Sequence, residues 1–409
     1  MTPRTWNARI RVLCLLAAGT ANASKLSFSE RGFVDVGALI QAQYRIEQDG
    51  AADGKSPSND FLLRRARIMI SGQYDEHIGF IVDTDVSYGT GATGFNNSIF
   101  LLDAVATYRV GKEFILDAGL MLLPYSHDSM TAGGKYGTVN NFPSYFSPNS
   151  QRGTRDVGVG IRGLLFDDRL YYRLGIFNGV QTSSGAAGLN PGDAPRFAGM
   201  LRFNFAGKED GYAFCQVCFA STPIISLGAS SDYQANAIRA SAASSPTTAT
   251  SLGLQQFWVL NGDFFADIPF GSDIELSTNL QFTHVIAGDD TGSPVQSGIG
   301  FFGMLSLRFG IFGPYFQFEY FKPTQQFVTI IKDATTGATT TYNGNLVTYR
   351  GGFSLYLYQH TYKLTAEIAF QNRERAGETV TFASATPPPA SATFPANHWV
   401  GTLQFQASF

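Results

Sequence analysis

The stretch Asp273-Ile-Glu-Leu-Ser-Thr-Asn-Leu-Gln-Phe-Thr-His-Val-Ile286 decides how the chain is read. Ile274, Leu276, Leu280, Phe282 and Ile286 fall on one side of it, and Asp273, Glu275, Asn279 and Gln281 on the other. A strand points successive side chains to opposite faces, so this period of two predicts a strand with one apolar and one polar face. The same split recurs along the chain. Near the N-terminus Val34, Val36, Ala38, Ile40, Ala42 and Tyr44 oppose Asp35, Gln41, Gln43 and Arg45. Ala66, Ile68 and Ile70 oppose Arg65, Arg67 and Ser71, and Phe80, Val82, Val86 and Tyr88 oppose Asp83 and Asp85. At the end, Trp399, Leu403, Phe405 and Phe409 oppose Thr402, Gln404 and Gln406.

Working outward from these segments predicts about 16 strands of roughly 9–13 residues, long enough to cross a bilayer at a tilt of ~45°. Their connections alternate in length. Short ones are Asp75–His77, Gly111–Glu113, Asp167–Asp168, Phe270–Ser272 and Gln359–His360; long ones include Glu47–Asp60, Gly89–Asn97, Pro124–Arg155, Gly179–Pro195, Ala235–Gly253, Ala287–Ser297, Pro323–Asn345 and Asn372–Asn397. Short turns at one end and long loops at the other describe an antiparallel transmembrane β-barrel. Lipid cannot hydrogen-bond to a free sheet edge, so strands in a bilayer must close into a ring. A soluble sandwich shares the alternation but buries one face and exposes the other, which fits poorly with polar residues on the inner face of nearly every strand.

Composition agrees. The chain has 409 residues, is 44% hydrophobic and only 15% charged, and its glycine and aromatic residues are spread without a break that would mark a linker. Arg4, Arg9 and Arg11, the apolar run Val12 to Ala18, and Ala21-Asn-Ala23 form the pattern of an export signal, so the mature barrel is expected over residues 24–409. Leu13 before Cys14 argues against lipidation. Without those three arginines, 26 basic residues face 32 acidic ones, a net charge of −6 that argues against nucleic acid as a partner. No later stretch approaches the roughly 18 apolar residues of a helical span.

The loop Pro124 to Arg155 stands apart because it is long, lacks periodicity and carries Tyr125, Tyr136, Phe142, Tyr145 and Phe146. Loops that long inside a compact unit are functional or disordered, and aromatic residues speak against disorder.

Several of these segments resemble the phosphate-selective porin O and P family of Gram-negative outer membranes. The resemblance rests on Phe61-Leu-Leu-Arg-Arg-Ala-Arg67 with Gly72, Asp103-Ala104 with Tyr108, Gly119 with Pro124-Tyr-Ser126, Arg155 with Gly158, Gly175-Ile-Phe-Asn-Gly179 and the terminal Phe409. It implies a 16-stranded barrel in the cell outer membrane, usually a homotrimer among lipid and lipopolysaccharide. It also implies that the third long loop folds inward as a constriction and that small anions or other hydrophilic solutes diffuse through. No cofactor is implied.

The candidate anion path is Arg65, Arg67, Arg162, Arg173, Arg202, Arg308 and Arg350 on the polar face, with Lys135 and Arg152 in the loop. Guanidinium keeps its charge and matches phosphate or carboxylate in a bidentate fork. The plainer reading pairs these arginines with Asp35, Asp83, Asp85, Asp103, Asp263, Glu275, Glu319 and Glu367, and both readings stand. Arg155 abuts the next strand and reads as its anchor, while Arg64 is expected on the lipid side.

Cys215-Gln-Val-Cys218 is a disulfide candidate, since an exported chain meets an oxidising compartment and no second pair completes a metal site. Gly89-Thr-Gly-Ala-Thr-Gly94 matches a dinucleotide fingerprint by letter, but a strand follows where that fingerprint needs a helix. His77, His127, His284, His360 and His398 are scattered, and His127-Asp128 reads as a solvated loop pair. No catalytic signature appears. The expected function is passive diffusion through an outer-membrane channel; the rivals are a barrel enzyme and a plugged adhesive barrel acting through its outer loops.

Overall fold

The computed structural model describes residues 25–51, 55–88, 97–139, 154–179, 190, 192–209, 211–241, 251–287, 297–323, 346–373, 378–380, 392–394 and 397–409. In chain order its strands are β1 (Leu26–Ser27), β2 (Phe33–Glu47), β3 (Ser58–Gln73), β4 (Ile78–Tyr88), β5 (Asn97–Arg109) and β6 (Ile115–Leu122). There follow β7 (Arg155–Leu165), β8 (Leu170–Phe177), β9 (Arg196–Ala206), β10 (Ile224–Ser241), β11 (Ser251–Phe270), β12 (Ile274–Ile286) and β13 (Gly298–Phe309). The series ends with β14 (Phe312–Pro323), β15 (Leu346–His360), β16 (Tyr362–Arg373), the short β17 (Glu378–Val380) and β18 (Ala392–Phe394), and β19 (Asn397–Ser408).

One sheet holds 17 strands; without the two-residue β1, 16 form the wall. Every neighbouring pair is antiparallel, and β19 pairs with β2, Leu403 opposite Tyr44, so the ring is closed. Closure leaves the wall no free edge, as a bilayer demands. At the seam Phe409 and Ala38 exchange two backbone hydrogen bonds of 2.6 and 3.0 Å. No helix among the described residues is long and apolar enough to cross a membrane.

The barrel is inside-out in polarity. In β12, Leu280 and Phe282 are 41% and 49% exposed on the outside, while Asn279 and Gln281 are buried within. Tyr74, Tyr108, Phe166, Phe203, Phe270, Phe309 and Tyr358 are exposed at the short-turn end of the wall, where an interfacial aromatic girdle belongs. The short turns are tight. Phe309 pairs with Phe312 across two residues, and Gly310 there adopts φ 58°, a conformation cheap for glycine alone.

Two expectations shift. β10 and β11 run on to Ser241 and from Ser251, so the loop expected over 235–253 is mostly strand. Where β3 pairs with β2, the register slips between Gln41 and Ala42 of β2, leaving Arg64 of β3 as an extra residue opposite no partner. Such a bulge re-aims the side chain. Arg64 accordingly lies within electrostatic reach of Asp85, Arg67 and Tyr136, on the lumenal side and not toward lipid as expected.

Candidate functional site in the barrel lumen

β6 stops early, at Leu122 opposite Arg155, and the chain leaves the wall there. Residues 125–139 then cross the interior. Tyr125 O accepts bonds from Ser230 of β10 and Asn261 of β11. Asn279 of β12 meets His127 Nδ1 at 3.2 Å. Further along, Gln41 of β2 donates to Gly133 O at 3.0 Å, Gln406 of β19 to Gly134 O at 2.8 Å and Ser354 of β15 to Gly137 O at 2.8 Å. Lys363 of β16 donates to Tyr136 O. Polar wall side chains thus satisfy the backbone groups of the inserted loop, which water would otherwise have to reach. His127 and Asp128, expected to be solvated, are fully buried; His127 stacks on Phe265 with ring centroids 3.8 Å apart, and Asp128 Oδ1 accepts from Gln216.

Most arginines on the inner face meet a carboxylate. Arg67 pairs with Asp85 at 2.8 Å, Arg162 with Asp117 at 2.7 Å, Arg308 with Glu275 at 2.7 Å, and Arg350 with Glu319 at 2.9 Å and Glu367 at 3.4 Å. Arg202 reaches Glu209 at 2.8 Å and Asp263 at 2.5 Å and donates to Ser226 Oγ. Arg155 anchors to Asp103 at 3.2 Å. Arg173 bonds the carbonyls of Tyr212 and Leu122 at 3.0 and 2.8 Å. Arg196, which the sequence reading passed over, is fully buried between Asp232 and Asp156.

A second group is different. Arg65 Nη1 donates to Gln41 at 2.6 Å, while its Nε has no hydrogen-bond partner. Among the described residues, no carboxylate forms an ion pair with Arg64, Arg65, Lys135 or Lys363. These cations and Arg67 gather around Gly133–Tyr136. A Cβ at Gly133 would stand 2.9 Å from Arg67 Nη1 and 3.2 Å from Arg65 Nε, so a larger residue there would push both guanidinium groups aside. Lys135 is exposed to the open interior, whereas Lys363 is fully buried. Arg152 lies outside the described residues, as do the stretches 89–94 and 387–389.

Residues 34–202 match the family model of phosphate-selective porin O and P. Over that stretch, 169 of the 409 residues (202 − 34 + 1), the chain is similar to this porin family. It is a passive channel of the outer membrane, and the short turns therefore face the periplasm. The family match ends within β9, and the rest of the ring is assigned by its fold. Similar solved structures include the anion-selective porin from Comamonas acidovorans, with 14% identity, TM-score 0.55, and 92% of this chain and 100% of that one covered. Another is the outer membrane channel DcaP of Acinetobacter baumannii, with 12% identity, TM-score 0.54, and coverages of 94% and 100%. A third is OmpT of Vibrio cholerae in a trimer form, with 10% identity, TM-score 0.52, and coverages of 93% and 100%. A comparison with curated proteins gave no significant match.

In this porin Cys215 and Cys218 are joined by a disulfide. The bond lies in the connector between β9 and β10, whose Glu209 reaches into the lumen. Glu209 Oε1 stands 2.6 Å from His127 Nε2, a contact poorly angled for a hydrogen bond. Burial alone would raise the Glu209 carboxyl, but Arg202 and His127 hold it down at about 2. Lys363 and Glu209 both escaped the sequence reading. Lys363 could have been found from its place on the polar face of β16, opposite Gln406 of β19.

Proposed function

We propose that the porin passes small hydrophilic solutes with a preference for anions such as phosphate, drawn by the cations around its third loop. The observation that carries this reading is an imbalance of charge. Arg64, Arg65, Arg67 and Lys135 gather at Gly133–Tyr136, while the carboxylates within electrostatic reach on the neighbouring strand are Asp85 and Asp83. Clefts lined by one sign of charge in low-dielectric walls focus the field and concentrate counter-ions. Rings of cationic side chains serve anion pores in this way. Lys135 is the member that meets solute directly; Arg65 acts through the field from beneath the loop.

In this reading the remaining arginines, Arg162, Arg202, Arg308 and Arg350, hold the wall together, and Arg152 adds to the loop's positive charge. Residues 1–23 direct export and are removed, leaving 24–409 as the working barrel. The porin assembles as a homotrimer among lipid and lipopolysaccharide and carries out no reaction. The trimer form of Vibrio cholerae OmpT and the anion-selective porin of Comamonas acidovorans support the assembly and the ion preference.

Planar-bilayer recording tests the reading. Stepwise channels with a reversal potential on the anion side in a potassium chloride gradient are expected, and Arg65→Ala with Arg67→Ala should move that potential toward cations. Cation selectivity of the unaltered protein would exclude the anion version. A protein that inserts and stays silent would favour a plugged barrel acting through its outer loops, the reading suggested by how much of the lumen the inward segments occupy.

A further inference from the structure

Seven connections lie at the periplasmic end, and six are short: residues 74–77, 110–114, 166–169, 271–273, 310–311 and 361. The seventh, 207–223, is 17 residues long (223 − 206). Its length is not needed for closure. The register sets Ala206 opposite Ile225, and between Leu165 and Leu170 four residues close a comparable gap.

The surplus turns inward. Phe214, Gln216 and Val217 are buried at 4%, 0% and 0% exposure, although they belong to a periplasmic connection. They meet the third loop strand-to-strand. Phe214 N donates to Met130 O at 2.9 Å, Ala132 N to Phe214 O at 3.0 Å and Gln216 N to Lys135 O at 3.1 Å. The Gln216 side chain adds two bonds, accepting from Gly137 N at 2.8 Å and donating to Asp128 Oδ1 at 3.2 Å. The far side of the connector is fixed to the wall. Cys218 N donates to Asp267 at 3.2 Å, Phe219 N to Glu275 at 2.7 Å, and His360 Nε2 lies 2.6 Å from Val217 O. The disulfide brackets Gln216 and Val217 at the tip of this inward turn. Beside the connector a cavity of about 550 Å³ remains at the periplasmic mouth, lined by His77, Arg109, Lys112, Arg162 and Lys208 among others.

We propose that residues 207–223 are a second pore-narrowing segment, a periplasmic plug that clasps the third loop from below and sets the size limit of the channel. Solute passing Lys135 then leaves through the eccentric opening beside Arg109 and Arg162. The connector and the third loop support each other: neither has a full set of backbone partners without the other, so the lower segment also holds the upper one in place.

The test replaces residues 211–221 with Gly-Ser-Gly, which leaves Glu209 on Arg202. Single-channel conductance should rise at least about twofold, since pore diameter governs passage of hydrated solutes. In liposome swelling, a neutral trisaccharide excluded by the unaltered porin should enter. A variant that keeps its heat-modifiable migration yet shows the original conductance and exclusion would overturn the proposal. If that variant does not fold, Gln216→Ala in the full chain decides. It should produce repeated openings to a larger level, and a trace as steady as the unaltered protein's would overturn the idea. Both readouts report size rather than charge, so their failure is distinct from failure of the anion preference.

Discussion

Two arcs of the lumen carry arginine in similar density and use it in opposite ways. On the arc from β7 to β15, Arg162, Arg196, Arg202, Arg308 and Arg350 each sit against one or two carboxylates. On the arc formed by β16 and β3, Lys363, Arg64 and Arg65 have loop carbonyls, glutamine and each other for neighbours, and the carboxylate within reach of the two arginines, Asp85, is already paired with Arg67. A tally of arginines would rate the first arc as the more basic. Pairing reverses that ranking, because a charge matched at under 3 Å contributes little field to solute farther away. The first arc is therefore structural in its energetics, and the second carries the potential.

The largest effect that would break this comparison is at Arg202. Its guanidinium is fully buried and joins Glu209 of the connector to Asp263 of the wall. Arg202→Ala leaves two carboxylates buried without their cation, and loss of one partner from a buried pair costs about 3–5 kcal/mol. Denaturant unfolding of the detergent-solubilised barrel should register that loss, while Arg65→Ala should cost far less. Equal destabilisation by both substitutions would erase the distinction between the arcs.

Next in size is the acid response of the same cluster. The Glu209 carboxyl is held at about 2 against an ordinary 4.5. A depressed carboxyl contributes stability that is fully present above its unfolded value and is lost as pH falls through the folded one. The window is thus from 4.5 down to about 2, and the contribution at stake is about 3 kcal/mol. Melting temperatures taken across that window should fall for the unaltered porin and fall less for Glu209→Gln. Parallel curves would show that the clasp between connector and loop does not depend on this charge.

The wall was legible in the sequence because lipid and water make opposite demands on alternate residues. The wall strands follow that alternation from Val34–Tyr44 to Trp399–Phe409, with breaks at the bulges in β3 and β5. What lies inside the wall was far less legible. Arg64 was placed on the wrong side because a one-residue bulge changes the phase of alternation, and the letters around it carry no mark of the slip. His127-Asp128 read as solvated because polar residues in a loop usually are; here Phe214, Phe265 and Gln216 cover them, and two of those come from a connector 80 or more residues away. The connector did leave one trace. Among short turns, 207–223 was the long exception, and Cys215-x-x-Cys218 sat within it.

The sharpest test of the two arcs is the one with the smallest effect, because it predicts a difference between a single change and a double one. Arg65→Gln removes an uncompensated charge. It should lower the anion-to-cation permeability ratio by a factor of roughly 2–5, the scale on which fields of a few kT alter local ion concentration. Arg308→Gln combined with Glu275→Gln removes a buried pair whose charges cancel at 2.7 Å. Exchanging both partners for neutral groups of similar shape is often near-neutral for stability. Because no net charge is removed, the reversal potential should stay where it was. If the double substitution shifts it as far as Arg65→Gln does, the paired arginines are sensed by solute after all, and selectivity is spread around the whole ring.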